Sequence, residues 1–204
     1  MSVRDTSIDS RLLRSARSEF LKCGFLKAEL KTICDNAGVT TGAVYKRYKS
    51  KEDLFCAVVR ETVGELEAYT RARSEPDFSQ VSDVELYKVW VMNEDYTLGL
   101  FQMLWTLRED FLLLLEKSAG TKYENFRHEF ADIMTHETYL YYLECRKRGL
   151  TDKDITEAEM HVLCTSFWTA LYEPFIHHMS WGKIEEHCKM ICRFFNWTEA
   201  LSIK

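Results

Sequence analysis

The chain has 204 residues, of which 46% are hydrophobic and 29% charged, with only 2 prolines and 8 glycines. This composition is typical of a globular protein, and the scarcity of helix breakers favours long helices over many short strands. The most apolar short stretch, residues 111–115, is far below the roughly 20 residues that a membrane-spanning helix needs, and no apolar run follows the N-terminal residues. We therefore expect a soluble, cytoplasmic protein without a secretory signal.

The net charge of −5 is unevenly distributed. Residues 1–51 carry 11 Lys or Arg against 5 Asp or Glu, a net charge of +6, which leaves −11 on the remainder. A basic first part on an acidic remainder is expected when only the first part binds a polyanion such as nucleic acid. A chance surface bias would give the same totals, so charge alone does not decide between them.

Hydrophobic periodicity predicts a first helix over about 9–23, which Gly24 ends. A short helix over 29–36 leads into the tight turn Ala37-Gly38-Val39. Because glycine adopts a positive φ at little cost, Gly38 lets the chain reverse there.

Two more helices follow the turn. Thr40 is a suitable N-cap for a helix over 41–48, and Ser50-Lys51-Glu52-Asp53 resembles a capping box that begins a long helix over 52–73. Glu75-Pro76-Asp77 then indicates a linker or a kink. The two short helices and their turn together predict a helix-turn-helix.

The rest of the chain is again helical in period, and no strand alternation stands out. The predicted fold class is therefore all-α. We expect five further helices, near 82–106, 108–118, 121–148, 153–179 and 181–196.

The residues that begin the second helix of the helix-turn-helix are suited to contacts with DNA. Thr40, Thr41, Gly42 and Ala43 are small, so they permit close approach to base edges, and the threonine hydroxyls can hydrogen-bond there. The residues that follow offer hydroxyls and cations suited to backbone phosphates: Tyr45, Lys46, Arg47, Tyr48, Lys49 and Lys51. Alternatively, the Tyr45 ring packs in the core, and Lys49 and Lys51 are simply solvated surface residues.

The run AGVTTGAVYKRYKSKEDL, residues 37–54, resembles the signature of the TetR family of transcriptional regulators. The resemblance implies base contacts from Thr41, Gly42 and Ala43, with Thr40 as the cap before them. It also implies phosphate contacts from Tyr45, Lys46, Tyr48, Lys51 and, on the preceding helix, Lys31. The chain departs from the family pattern at Ala28-Glu29, where Thr-Ser or Thr-Thr is frequent, and at Cys34, which replaces a usual alanine.

The resemblance further implies two domains, a DNA-binding domain over 1–51 and a helical ligand-binding and dimerisation domain over 52–204. It implies a homodimer on a palindromic operator, formed through residues 153–179 and 181–196, and a repressor released by a small-molecule inducer without a cofactor. Two apolar stripes on the last two helices are the expected dimer surface. Alternatively, these residues pack in the core of their own chain. The stripes consist of Val162, Leu163, Phe167, Ala170, Leu171, Phe175 and Ile176 and of Ile184, Cys188, Ile191, Cys192 and Phe195.

The middle helices are rich in aromatic residues and methionine, which can line a cavity between helices. Most of these side chains are expected in an ordinary core. The residues predicted to line a ligand pocket are Trp105, Tyr139, Tyr142, Phe167 and Trp168, with His136 as a polar anchor.

Three other classes of function are alternatives. An enzyme is disfavoured because the common catalytic and phosphate-binding motifs are missing and no histidine follows a glutamate by three residues. A metal- or thiol-sensing regulator is the alternative suggested by His177, His178, His187, Cys188 and Cys192. The seven scattered cysteines, which form no C-x-x-C pair, nevertheless favour reduced, mostly buried thiols. A helical dimer that binds a protein partner is the third.

Overall fold

The computed structural model describes residues 6–71 and 77–204, and every regular element in these two ranges is helical. The predicted all-α class is therefore confirmed. The predicted linker residues Glu75 and Pro76, like the predicted helix end at Arg73, lie outside the described residues. The helices are Thr6–Lys27 (α1), Leu30–Ala37 (α2), Thr41–Tyr45 (α3), Lys51–Arg71 (α4), Asp83–Val89 (α5), Glu94–Thr106 (α6), Arg108–Leu112 (α7), Phe126–Lys147 (α8), Glu157–Ile176 (α9), Trp181–Phe194 (α10) and Trp197–Ala200 (α11).

The chain divides into two compact units. The domain boundary after residue 51 stays a prediction. The first unit combines residues 1–67 with 107–127, and the second combines 68–106 with 128–204. None of the helices in the described ranges is long and apolar enough to cross a bilayer.

Three phenylalanines form the centre of the first unit. The rings of Phe20 and Phe25 on α1 and of Phe55 on α4 lie 5.1 to 6.0 Å apart, and two of the three pairs meet edge to face. All three side chains are buried, as is Ile33 of α2. This cluster holds α1, α2 and α4 together and fixes the base on which α3 is mounted.

An ion pair joins the inserted segment 107–127 to α1 within the first unit. The Arg17 guanidinium donates two hydrogen bonds to the Asp110 carboxylate, at 2.5 and 2.8 Å. The Asp110 side chain is 7% exposed and that of Arg17 31% exposed. Such a bidentate pair fixes the orientation of both side chains as well as neutralising the buried carboxylate.

The second unit contains a buried cluster drawn from α5, α8, α9 and the C-terminal residues, among them Leu86, Tyr142, Met160 and Leu201. Trp90 belongs to this cluster, and its indole nitrogen donates to the Cys145 sulfur at 3.2 Å.

The prediction of one helix over 82–106 was wrong, because the chain leaves helical geometry after Val89 and re-enters it at Glu94. The first segment ends at Trp90, whose side chain is buried, and the Asn93 side chain accepts a hydrogen bond from the Tyr96 amide at 2.8 Å at the start of the second. The predicted helix 121–148 begins only at Phe126, and the helix predicted over 153–179 begins at Glu157, where Thr156 and Glu159 form a capping box.

Candidate nucleic-acid interface and ligand cavity

The turn between α2 and α3 has the geometry that its sequence predicts. Gly38 lies in the left-handed region at φ 66° and ψ 40°, and the Val39 amide donates to the Cys34 carbonyl at 3.0 Å. Residues with a side chain rarely adopt this φ, so the glycine is a requirement of the reversal. The turn therefore fixes the angle at which α3 leaves α2.

The N-terminus of α3 is capped and open to solvent. Thr40 is extended at φ −87° and ψ 155°, and its hydroxyl accepts a hydrogen bond from the Ala43 amide at 3.2 Å. Thr41 and Gly42 are exposed, whereas Val44 is buried and attaches the helix to the core of the first unit. The small residues at the start of α3 are thus free to approach a groove of DNA.

The regular part of α3 ends at Tyr45, three residues earlier than predicted, and a turn carries the chain to Tyr48. Arg47 in this turn donates to Asp9 of α1 at 2.5 Å and to the Ala43 carbonyl at 3.2 Å. Because its guanidinium is already bound to groups of the protein itself, Arg47 is a poor candidate for a phosphate contact.

The other predicted DNA-binding residues differ in exposure. Tyr45 is 60% exposed, so its ring does not pack in the core as the alternative supposed. Lys31, Lys46 and Lys49 are exposed, while Ala43 and Tyr48 are half-buried. Their contacts with DNA remain predictions, and the exposed tyrosine and lysines are the ones best placed to make them.

Lys51 has a structural role that the sequence did not reveal. Its ammonium donates to the carbonyl oxygens of Phe25, Leu26 and Ala28, at 2.7, 3.3 and 3.0 Å. It also lies 4.5 Å from the centre of the Phe25 ring. Since the last carbonyls of a helix have no partners within it, this lysine caps the end of α1 from the start of α4.

We expect Lys51→Met to lower the free energy of unfolding by about 2 kcal/mol, because hydrogen bonds from a charged donor are lost while the side-chain volume stays. Urea unfolding of the full chain measures this. Lys49→Met, two residues away and exposed, is the matched control and is expected to change stability by less than about 0.5 kcal/mol. Equal stability of the two variants would show that Lys51 does not cap α1.

The second unit encloses a cavity of about 530 Å³. This volume is in the range of sites for drug-sized molecules. Its polar lining includes Asn93, Thr97, Glu137 and Thr138. The aromatic side chains that line it are Tyr69, Trp90, Tyr96, Tyr141, Phe167 and Trp197.

Of the six predicted pocket residues, Phe167 lines this cavity and the other five do not. Tyr142 is buried in the core cluster, and its hydroxyl donates to the Lys153 carbonyl at 2.7 Å. Tyr139 stacks on Tyr142 at 5.5 Å. The ring of Trp168 packs 4.4 Å from Phe130, that of Trp105 lies 5.6 Å from Trp181, and His136 is exposed beside Glu157. The buried aromatic residues of this group, Tyr142 and Trp168, therefore pack in the core of the unit.

Part of the apolar stripes predicted as a dimer surface faces the core of the chain itself. Leu171 and Phe175 on α9 and Ile184, Cys188 and Ile191 on α10 are buried. Val162 of the predicted stripes, together with Met190 and Phe194 outside them, stays exposed, at 63%, 60% and 78%.

The histidines and cysteines near the C-terminus are not brought together as a set of metal ligands. Cys188 is buried, and burial together with the neighbouring Cys192 raises the pKa of its thiol to about 12. The His187 ring contacts the Ala170 carbonyl at 2.7 Å. A raised pKa lowers the fraction of thiolate, which is the form that reacts with oxidants. All seven cysteines are free thiols.

The glycine turn and the capped, exposed α3 form a helix-turn-helix. Residues 12–58 match the family model described as bacterial regulatory proteins, tetR family. The predicted resemblance to the TetR family is confirmed over this N-terminal segment.

Solved structures share the fold over nearly the whole chain. NalD of Pseudomonas aeruginosa, the secondary repressor of the MexAB-OprM multidrug efflux pump, is 18% identical with a TM-score of 0.61, covering 91% of this chain and 93% of its own. MexZ of the same organism, a key repressor responsible for antibiotic resistance, is 15% identical with a TM-score of 0.60, covering 97% and 98%.

FadR of Bacillus halodurans, a fatty acid degradation regulator, is 14% identical with a TM-score of 0.56, covering 92% and 97%. A comparison with curated protein sequences found no match. The family that matches and these structural neighbours are transcriptional regulators and not enzymes.

Proposed function

We propose that this protein is a homodimeric transcriptional repressor that binds a palindromic operator through α3 and is released by a small molecule bound in the cavity of the second unit. The observation that carries the proposal is the exposed N-terminal turn of α3, capped by Thr40 and mounted on the Gly38 turn within the matched family domain. Repression, and not activation, is supported by NalD and MexZ, which are both described as repressors.

Dimerisation through α9 and α10 is supported by their exposed apolar residues. The two helices run antiparallel, since Ala170 meets His187 and the Phe167 ring lies 5.1 Å from that of Phe195. Val162 at the start of α9 and Phe194 at the end of α10 therefore lie at the same end of the pair. Two copies joined there would read both halves of a palindrome, which one short helix cannot do.

The composition of the cavity supports an amphipathic, partly aromatic ligand of moderate size. Aromatic rings supply apolar walls, and amide, hydroxyl and carboxyl groups supply fixed hydrogen-bonding points. Tyr69 and Thr70, which line the cavity, belong to the last turn of α4, and the same helix begins at Lys51 directly after the helix-turn-helix. A ligand that binds one arrangement of α4 more tightly than another would shift the population of DNA-competent chains.

Selection from random duplex DNA tests the proposal. We expect the selection to enrich a palindromic sequence that two chains bind. The affinity for this sequence should fall steeply as the salt concentration rises. A panel of amphipathic aromatic compounds is then tested for release of that operator. Failure to enrich any sequence, with the compounds absent or present, would overturn the proposal.

We expect Lys46→Ala and Lys49→Ala each to weaken binding to the selected operator and to unrelated duplexes by similar factors. Each is expected to reduce the slope of log affinity against log salt by about 1 per chain, because a phosphate contact releases counterions without reading sequence. Fluorescence anisotropy at several salt concentrations measures both quantities. Lys147→Ala on α8, equally a surface lysine but outside the helix-turn-helix and the proposed dimer helices, is the control and should leave the slope unchanged. An unchanged slope in both α3-region variants would contradict the predicted contacts.

A further inference from the structure

We propose that His128, Asp132 and His161 form a binding site for a divalent transition-metal ion, of the zinc type, which links α8 to α9. Nothing in the operator- or inducer-binding proposal uses these residues. His128 and Asp132 stand one turn apart on α8, and His161 reaches the same point from α9. Nitrogen and carboxylate donors in this number are a ligand set that zinc accepts, with water as the fourth ligand.

The distances fit one ion. The Asp132 carboxylate oxygens lie 3.5 Å from His128 Nε2 and 3.4 Å from His161 Nδ1. One donor atom from each of the three residues lies within 4.8 Å of the other two. In a tetrahedral zinc site with bonds of about 2.1 Å, the donors are about 3.4 Å apart. Each histidine nitrogen already lies near this distance from one Asp132 oxygen, His128 from Oδ2 and His161 from Oδ1. Binding one ion would need small rotations of these partly exposed side chains.

The neighbours of His161 restrain its ring. The Thr165 hydroxyl lies 3.3 Å from Nε2, within hydrogen-bond distance. Nδ1 lies on the side of Asp132, 3.4 Å from its carboxylate. Thr135, which donates to the Ala131 carbonyl at 2.7 Å, lies 3.2 Å from Nδ1 and limits ring movement.

Exposure and position suit an ion taken up from solution. The side chains of His128, Asp132 and His161 are 72%, 53% and 31% exposed. His161 directly precedes Val162, the exposed apolar residue at the start of α9. A bound ion would therefore hold this end of α9 against α8, beside the surface that we propose for dimerisation.

Zinc titration of the tag-free full-length protein, in competition with a chromophoric chelator, tests the site. We expect one ion per chain, a higher melting temperature with zinc, and binding weakened at least about tenfold by His128→Ala, Asp132→Ala or His161→Ala. The matched control is His177→Ala. His177 forms the same kind of one-turn pair with Glu173, at 3.1 Å, but no third ligand joins it among the described residues. This variant should bind zinc like the unaltered chain.

Binding that survives His161→Ala, or that disappears equally in His177→Ala, would overturn the proposal. Loss of binding in Cys188→Ser but not in His161→Ala would overturn it as well, and would move the metal to the C-terminal cysteines. Operator binding in the presence of a chelator is measured separately, so the failure of this site is distinguishable from failure of the repressor function.

Discussion

Replacing Arg17 by methionine is expected to lower the free energy of unfolding by about 3 kcal/mol, the largest stability effect that we predict for a single substitution in the first unit. Methionine keeps most of the apolar volume but leaves the Asp110 carboxylate, only 7% exposed, without its bidentate partner. Urea unfolding of the full chain at pH 7.5 measures the loss.

The double variant Arg17→Met with Asp110→Leu distinguishes the effect of losing the ion pair from the effect of burying an unpaired carboxylate. Replacing both partners by apolar groups removes the unpaired carboxylate, so most of the stability should return. Arg14→Met, an exposed position on the same helix, is the control and should stay within about 0.5 kcal/mol of the unaltered chain. A double variant as unstable as the single one would indicate that packing, and not charge, is responsible.

The loss in Arg17→Met should also depend on pH. Burial raises the pKa of the Asp110 carboxyl even though Arg17 acts in the opposite direction. Without Arg17 this pKa rises further above its value in the unfolded chain. A carboxyl whose pKa is higher in the folded than in the unfolded chain lowers the free energy of unfolding by the full amount at pH values above the folded-state pKa. This destabilisation becomes smaller as the pH falls through that pKa. We therefore expect a smaller loss at pH 5 than at pH 7.5, and an equal loss would contradict the charge explanation.

The second large effect is expected on assembly. Phe194→Glu and Met190→Glu place a carboxylate on the exposed apolar surface of α10, and we expect monomers and a loss of operator affinity of about 100-fold or more. The reason is that burying an unpaired charge in a dimer interface is unfavourable, and a single helix-turn-helix loses the gain from joint binding of two half-sites. Analytical ultracentrifugation and anisotropy measure the two consequences.

Val84→Glu is the matched control for these variants. Val84 is 64% exposed on α5, comparable with Met190, but does not belong to α9 or α10. It should remain a dimer with unchanged operator affinity. If Phe194→Glu and Met190→Glu also stay dimeric, the proposed interface is wrong and another surface joins the two copies.

The features that the sequence predicted correctly depend on neighbours in the chain. The positive φ of Gly38 and the Thr40 cap are set within three or four residues, so their residue types reveal them. The capping role of Lys51 was not visible, because its partner carbonyls lie 23 to 26 residues earlier. The contact between Trp90 and Cys145 was missed for the same reason, since the two residues are 55 positions apart in the chain.

The lining of the ligand cavity could not be predicted from the sequence for a different reason. A cavity is the space that packing leaves between helices, so its lining depends on the arrangement of all of them and not on the chemistry of any one residue. Large aromatic residues were predicted to line it, but Tyr142 and Trp168 fill the core, and of the predicted group Phe167 alone lines it. Val162 was among the residues predicted for the dimer surface, but the exposure of Met190 and Phe194 was missed, because both helices are apolar on more than one side.

The insertion of residues 107–127 into the first unit has a consequence for protein synthesis. The helix-turn-helix leaves the ribosome early, but Asp110, which holds α1, is made only after α6. A nascent chain ending before residue 107 therefore carries Arg17 without its partner, together with helices that belong to the unfinished second unit. Because ribosomes add about 5–20 residues each second, the DNA-reading part of the molecule is exposed for several seconds before it can be completed.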